Sequence, residues 1–184
     1  HLCFGVLPEE GIQEIVINAE IKNDSGVKII SHCVFPNAVK VIHKMKADIT
    51  IGDNSYFEYN ETHYHGEYGG TEVYPDANVK IGKNSRFITE FVLIKGRVGI
   101  FDLNYTSVCD DHSTIYMNSK IYGYGKDVIR LNESAELSGE NSSAIIRSRV
   151  AVRDDAESRV ISQITARGKN SKGHVDCIEI VRDN

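Results

Sequence analysis

At 184 residues, with 41% hydrophobic and 26% charged side chains, the chain has the size and composition of one globular domain rather than a disordered segment. A formal net charge of -5, with no run of Lys or Arg able to track phosphates, argues against nucleic acid as a partner. No stretch approaches the roughly 18 apolar residues of a membrane-spanning helix, and the start carries no charged-then-apolar leader, so the expectation is a soluble, cytoplasmic protein without a membrane partner.

The chain opens at His1 and closes at Val181-Arg182-Asp183-Asn184 just after a strand-like run, so residues 1–184 read as one core domain cut from a longer protein. Only Glu9 to Glu14 reads as a helical turn. Beyond it the signals are short, β-branched and aromatic runs: Ile15-Val16-Ile17, Val27 to Ile30, Ala38 to Ile42, Arg86 to Thr89, Phe91 to Ile94, Arg97 to Phe101, Thr114 to Met117, Ala144 to Ile146, Val150 to Val152 and Ser158 to Ile164. Between them stand turn chemistries that tolerate left-handed backbone, at 23–26, 82–85, 122–125 and 168–171.

Ala47-Asp48-Ile49-Thr50-Ile51-Gly52-Asp53-Asn54-Ser55 returns thirty residues later as Ala77-Asn78-Val79-Lys80-Ile81-Gly82-Lys83-Asn84-Ser85, and more weakly as Ala135-Glu136-Leu137-Ser138-Gly139-Glu140-Asn141-Ser142. Alternating apolar residues followed by Gly-x-Asn-Ser are a strand running into a turn. Recurrence at a period of tens of residues is the mark of a coiled solenoid. The expected fold is therefore all-β, a right-handed parallel β-helix, with a sandwich or barrel as the alternative that needs no such repeat. Ile51, Ile81 and Leu137 should then occupy comparable inward rows.

Four cysteines, Cys3, Cys33, Cys109 and Cys177, stand far apart without a C-x-x-C pair, which argues against a disulfide framework or a zinc ribbon. In Thr62-His63-Tyr64-His65-Gly66-Glu67 two histidines at i and i+2 share one strand face, where neutral imidazoles can bind a metal ion. The plainer reading puts both in water with Tyr64 inward. A cupin-type oxygenase would need a Gly where Phe57 stands and a carboxylate four positions after His65. Ser31-His32-Cys33-Val34-Phe35-Pro36 offers a thiol, but adjacent strand residues face opposite ways, so a partner for Cys33 must come from His43, His63 or His65 on a neighbouring rung. A buried, inert Cys33 is the plainer alternative. In Gly173-His174-Val175-Asp176-Cys177-Ile178-Glu179-Ile180-Val181 the pair Cys177 and Glu179 faces one way and His174 the other, a thiol-carboxylate pair suited to iron or simply a capped strand. Val108-Cys109-Asp110-Asp111-His112 reads first as an acidic loop after a strand.

The run Gly173 to Val181, with Gly139-Glu140-Asn141-Ser142 and Ala144-Ile145-Ile146-Arg147-Ser148 before it, resembles the core of the SufB/SufD family, the scaffold of the SUF iron–sulfur cluster assembly system. His1-Leu2-Cys3-Phe4-Gly5 and the rungs resemble in particular the single SufBD-type members of archaea and bacteria. The resemblance covers nearly the whole chain. It implies a parallel β-helix flanked by helical segments that have no counterpart here, and a scaffold that is not itself an enzyme. It also implies partners: a SufC-type ABC ATPase, a second SufB/SufD-type chain in a homodimer or heterodimer through the β-helix, and a cysteine desulfurase or sulfur carrier.

Carried over residue by residue, the resemblance makes Cys33 the sulfur-acceptor candidate, because it and Pro36 match a Gly-Cys-Thr-Ala-Pro stretch of SufB. His63 and His65 become candidates for lining a sulfur passage, although they replace Gln and Trp. Cys177, Glu179, Cys109 and His174 are the candidates for holding iron or a transient iron–sulfur cluster. The family's own cluster positions fall at or just beyond Asn184. Two other classes stay open: a carbohydrate-binding or carbohydrate-active β-helix, and a metal-binding protein built on His63 and His65.

Overall fold

The computed structural model describes residues 1–182, and among them every regular element is a strand. Seven strands form one parallel sheet: β1 (Leu2–Gly5), β3 (Gly26–Phe35), β5 (Tyr56–His65), β7 (Arg86–Lys95), β9 (Thr114–Gly123), β11 (Ser143–Arg153) and β13 (Lys172–Arg182). Six form the facing sheet: β2 (Glu10–Ile21), β4 (Lys40–Ile51), β6 (Thr71–Ile81), β8 (Gly99–Cys109), β10 (Val128–Leu137) and β12 (Glu157–Ala166). Odd and even strands alternate along the chain, each pairing only with the strand one turn away. The result is a two-sheet solenoid of about six turns, as the repeat predicts.

Alternate residues of each strand face the interior, which gives the central strands a strict buried and open alternation. Because the pairing is in register, inward positions stack in rows. Ile21, Ile51, Ile81, Cys109 and Leu137 form one such row, so the three residues expected to share a row do so. Phe57 stacks on Phe87 in another, ring centroids 5.8 Å apart.

Two local expectations are corrected. Glu9 to Glu14 is no helical turn: β2 begins at Glu10, and its alternation and in-register pairing with β4 override a helical pattern one turn long. Arg97 and Val98 lie in a corner rather than a strand, because Gly96 (φ 77°) and Gly99 (φ 81°) take left-handed backbone there. Elsewhere the strands are longer than the apolar runs. The outward residues between those runs are polar, and β7 absorbs both Arg86 to Thr89 and Phe91 to Ile94.

The Gly-x-Asn-Ser motif builds one corner. Asp24, Asn54, Asn84, His112, Asn141 and Asn170 occupy its successive turns, all with φ between 54° and 59°. Asn54 Nδ2 donates to Asp24 Oδ1 at 3.2 Å and Asn84 Nδ2 to Asn54 Oδ1 at 3.4 Å. The following serines make a second ladder: Ser55 Oγ accepts from the Ser25 amide at 3.0 Å, and Ser85 Oγ from the Ser55 amide at 2.9 Å. Gly52 is required because a Cβ there would lie 2.7 Å from the Asn23 backbone nitrogen. The opposite corner is fixed by Asp127, fully buried, whose Oδ1 accepts from Arg97 Nη2 at 3.1 Å and from the Gly99 amide at 3.2 Å.

Candidate functional site

The interior is apolar over most of its length but is interrupted near its first turns. Phe35, Ala38, Val41 and Cys33 form a small cluster separate from the main core. Next to that small cluster lie the buried polar side chains His43, Glu61, His63 and His65.

Strand parity and register assemble the group. Cys33 on β3 lies directly opposite His63 on β5, both inward, and Glu61 is the next inward residue of β5. His43 enters from β4 on the facing sheet. Cys33 Sγ donates to Glu61 Oε1 at 3.2 Å and lies 3.9 Å from His43 Nε2. The same Glu61 oxygen is 2.8 Å from His63 Nε2, while His63 Nδ1 is 3.2 Å from His65 Nε2. Phe35 packs against the rings of His43, His63 and His65, and Phe91 against His63.

The electrostatics follow from burial. Loss of water, then the charge of Glu61, pushes the Cys33 thiol far above its usual range, so at rest it is a protonated donor. His43 is pushed down to about 4, first by burial and then by His63, and is neutral at physiological pH. Burial, followed by the neighbouring imidazoles, likewise holds His65 well below the ordinary histidine range. For Glu61 burial works toward a higher value, but the hydrogen bond and charge of His63 and the hydrogen bond from Cys33 outweigh it. An ionised carboxylate thus sits beside a protonated thiol.

The expectation of water-exposed histidines with Tyr64 inward is reversed: His63 and His65 face the interior and Tyr64 is the exposed residue of the three. Of the histidines expected as partners for Cys33, His63 stands opposite it in register and His43 lies 3.9 Å away across the core, while the thiol's hydrogen bond goes to Glu61. His32 faces outward instead, its Nδ1 2.9 Å from His1 Nε2, so it takes no part. Glu61 is the residue that sequence reasoning missed. Its signal was the alternation Glu61-x-His63-x-His65, which forces all three to one face.

The other candidates stand apart. Cys109 fills an apolar row, and burial raises its thiol to about 11. Asp111 and His112 lie in the turn that follows. Cys177 and Glu179 lie on β13 at inward positions, continuing the rows of Ser148 and Val150, and both are exposed at this last strand. His174 continues the outward row of Ile145 and does not share their face. All four cysteines are free, and the cluster positions that the resemblance implies, at or just beyond Asn184, lie outside the described residues. No helix among the described residues is long and apolar enough to cross a membrane.

No family model and no solved structure matches the chain. Curated proteins do. An iron–sulfur cluster assembly SufBD family protein of Methanocaldococcus jannaschii is 37% identical over 184 residues, all of this chain and 58% of that protein. One of Pyrococcus horikoshii is 34% identical over the same 184 residues, 56% of its length. A second from that organism is 25% identical over 181 residues, 39% of its length. The chain therefore spans a little over half the length of the first two.

Proposed function

Because the chain belongs to the iron–sulfur cluster assembly SufBD family, we propose that it is part of a scaffold on which iron–sulfur clusters are assembled, with Cys33 as the residue that accepts sulfur. The observation that carries this reading is the contact of the buried Cys33 thiol with the Glu61 carboxylate, 3.2 Å away, within a pocket of imidazoles. A thiol must become thiolate to accept sulfane sulfur, and burial with the Glu61 charge opposes this at rest, so the proton leaves only as the new S–S bond forms. Glu61 supplies the base.

In the transfer the Cys33 proton passes to Glu61 and the thiolate attacks the outer sulfur of a donor persulfide. The donor's S–S bond breaks as the new S–S bond forms. The donor leaves as a thiolate, Cys33 carries the persulfide, and no net oxidation takes place. His63, bonded to Glu61, adjusts the carboxylate's basicity, and His65 orients His63. In this reading both line the path of the incoming sulfur.

Iron and sulfide would be gathered toward β13, where Cys177 and Glu179 offer a thiolate and a carboxylate on one face. Sulfur supply by a cysteine desulfurase or a carrier, an ABC-type ATPase partner and pairing with a second SufB/SufD-type chain belong to the same proposal. In it the chain is a scaffold whose partners hold the ATPase and desulfurase activities. Replacing Cys33 by Ser in the full-length protein and following cluster assembly with the desulfurase tests it. Loss of assembly and of persulfide on the protein is the expected result, and unchanged assembly would overturn it.

A further inference from the structure

The geometry points to a second use of the same buried group: Cys33, His43, Glu61 and His63 form a binding site for one first-row divalent cation, of the zinc or ferrous type. The convergence of donors carries this inference whether or not Cys33 accepts sulfur. One donor atom from each of the four residues lies within 4.8 Å of the others, and all four residues are buried. Metal–ligand distances of about 2.0–2.3 Å place tetrahedral donors on the order of 3.3–3.8 Å apart. The observed separations of 3.2 Å (Cys33 to Glu61), 3.9 Å (Cys33 to His43) and 2.8 Å (Glu61 to His63) bracket that range, so the donors need only small movements to surround an ion.

Charge and chemistry agree with the geometry. One sulfur, two imidazole nitrogens and one carboxylate suit zinc or ferrous iron and not calcium or magnesium, which take oxygen ligands. A thiolate and a carboxylate carry two negative charges, so a divalent ion with two neutral imidazoles makes an electrically neutral buried unit. Neutrality is what an enclosed site without water requires. The ion takes the place of the Cys33 proton and of the hydrogen that His63 Nε2 gives to Glu61, and both leave those atoms on binding.

A further observation is independent of the donor distances. Glu61 Oε2 is buried without a hydrogen-bond partner, which leaves a second carboxylate oxygen open to an ion beside Oε1, and His43 Nδ1 is likewise unpartnered, so a turn of the ring lets either of its nitrogens face the ion. A solenoid interior needs no such groups, and unpartnered buried polar atoms call for a reason. Around the donors, His63 Nδ1 already contacts His65 Nε2, the kind of outer contact that fixes a metal-bound imidazole through its other nitrogen.

Among the described residues the other thiols are the exposed Cys3 and Cys177 and Cys109, which is buried in an apolar row. His1, Cys3 and His32 make a second, open group of donors, and Cys177 lies on the last strand. The test therefore uses the full-length protein with Cys3 and Cys177 both replaced by Ser. It is titrated anaerobically with Co²⁺ as a spectroscopic probe and then with Zn²⁺.

The expected result is one equivalent of tetrahedral Co²⁺ with a thiolate-to-metal charge-transfer band, displaced by Zn²⁺. Cys33→Ser in this background should lose the band, and His65→Leu should keep it while weakening binding about 10- to 100-fold. Should Cys33→Ser fail to fold, X-ray absorption of the zinc-loaded Cys3→Ser, Cys177→Ser protein decides: one sulfur among four neighbours supports the site. Absence of the band from the background protein, its survival in a folded Cys33→Ser variant, or a zinc shell without sulfur would each overturn the inference.

Discussion

Cys33 and Glu61 sit on neighbouring strands two residues out of register, yet their side chains meet, with Sγ 3.2 Å from Oε1. The residue directly opposite Cys33 is His63, and its Nε2 approaches the same carboxylate oxygen at 2.8 Å. Diagonal neighbours on one sheet face are within reach of long side chains, and here the diagonal contact holds the proton. One oxygen atom thus mediates between a thiol and an imidazole that never need to touch.

Removing that oxygen's basicity while keeping its shape should separate packing from chemistry. Glu61→Gln is expected to fold, with an unchanged circular dichroism spectrum, and to load persulfide on Cys33 about 100-fold more slowly, the usual lower range for loss of a positioned base. Mass spectrometry of the protein after exposure to a persulfide donor gives the rate. Loading as fast as in the wild type would show that Glu61 is not the base.

A second buried carboxylate gives a prediction in pH. Glu133 is almost fully enclosed and accepts from Ser119 at 2.6 Å and Ser148 at 2.7 Å. Burial raises its pKa despite the two hydroxyls. A carboxyl whose folded value lies above its unfolded value binds its proton more tightly in the folded chain. Its stabilising effect is complete below the ordinary glutamate value of about 4.3 and is lost as pH rises through the folded value. Glu133→Gln, which keeps one donor and one acceptor, should therefore gain stability relative to the wild type between about pH 4 and about pH 8. Urea midpoints at the two pH values measure the difference, and a constant offset would contradict the assignment.

The asparagine corner can be probed at Asn84, where φ is 54° and Nδ2 donates to Asn54. Asn84→Ala loses the hydrogen bond and keeps a Cβ that resists left-handed backbone, at a cost of about 1–2 kcal/mol. Asn84→Gly loses only the bond and should be milder. Chemical denaturation ranks the two, and equal losses would mean that the ladder, not the backbone, sets the cost.

At the other corner Asp127 has a larger role. It joins Arg97 and the Gly99 amide, and its Oδ2 accepts from the Tyr124 amide at 3.2 Å. Asp127→Ala leaves two amides without their acceptor and the partly buried Arg97 guanidinium with the Tyr124 carbonyl alone, and about 3–5 kcal/mol of stability should go with it. A midpoint shift below a third of that would mean that water replaces the carboxylate.

The period of Ile-Gly-x-Asn-Ser revealed the solenoid because its glycine and asparagine are dictated by a corner that recurs, and the stacking of Ile51, Ile81 and Leu137 followed from it. The site was half legible. Alternation placed Cys33 opposite to His32 and put His63 with His65, but not which face was inward, since polar residues on a strand point first to water. That inference failed for His63 and His65 because Cys33, Glu61 and His43 supply an interior that is itself polar. His43 was among the partners expected for Cys33, but Glu61 is 28 residues from it, and only the in-register pairing of β3 with β5 brings those two together. Cys109 shows the converse, a cysteine in an acidic sequence context whose strand position makes it an ordinary core residue.

The division of the interior into two apolar clusters has a consequence for timescale. A solenoid gains stability turn by turn, so a small cluster cut off from the large one can open while the rest stays folded. Phe35, Ala38 and Val41 hold that small unit with Cys33 in it. Opening of that one turn would then set the rate at which the thiol meets anything from outside, and amide exchange of β3 and β4 faster than that of the central strands is the result expected.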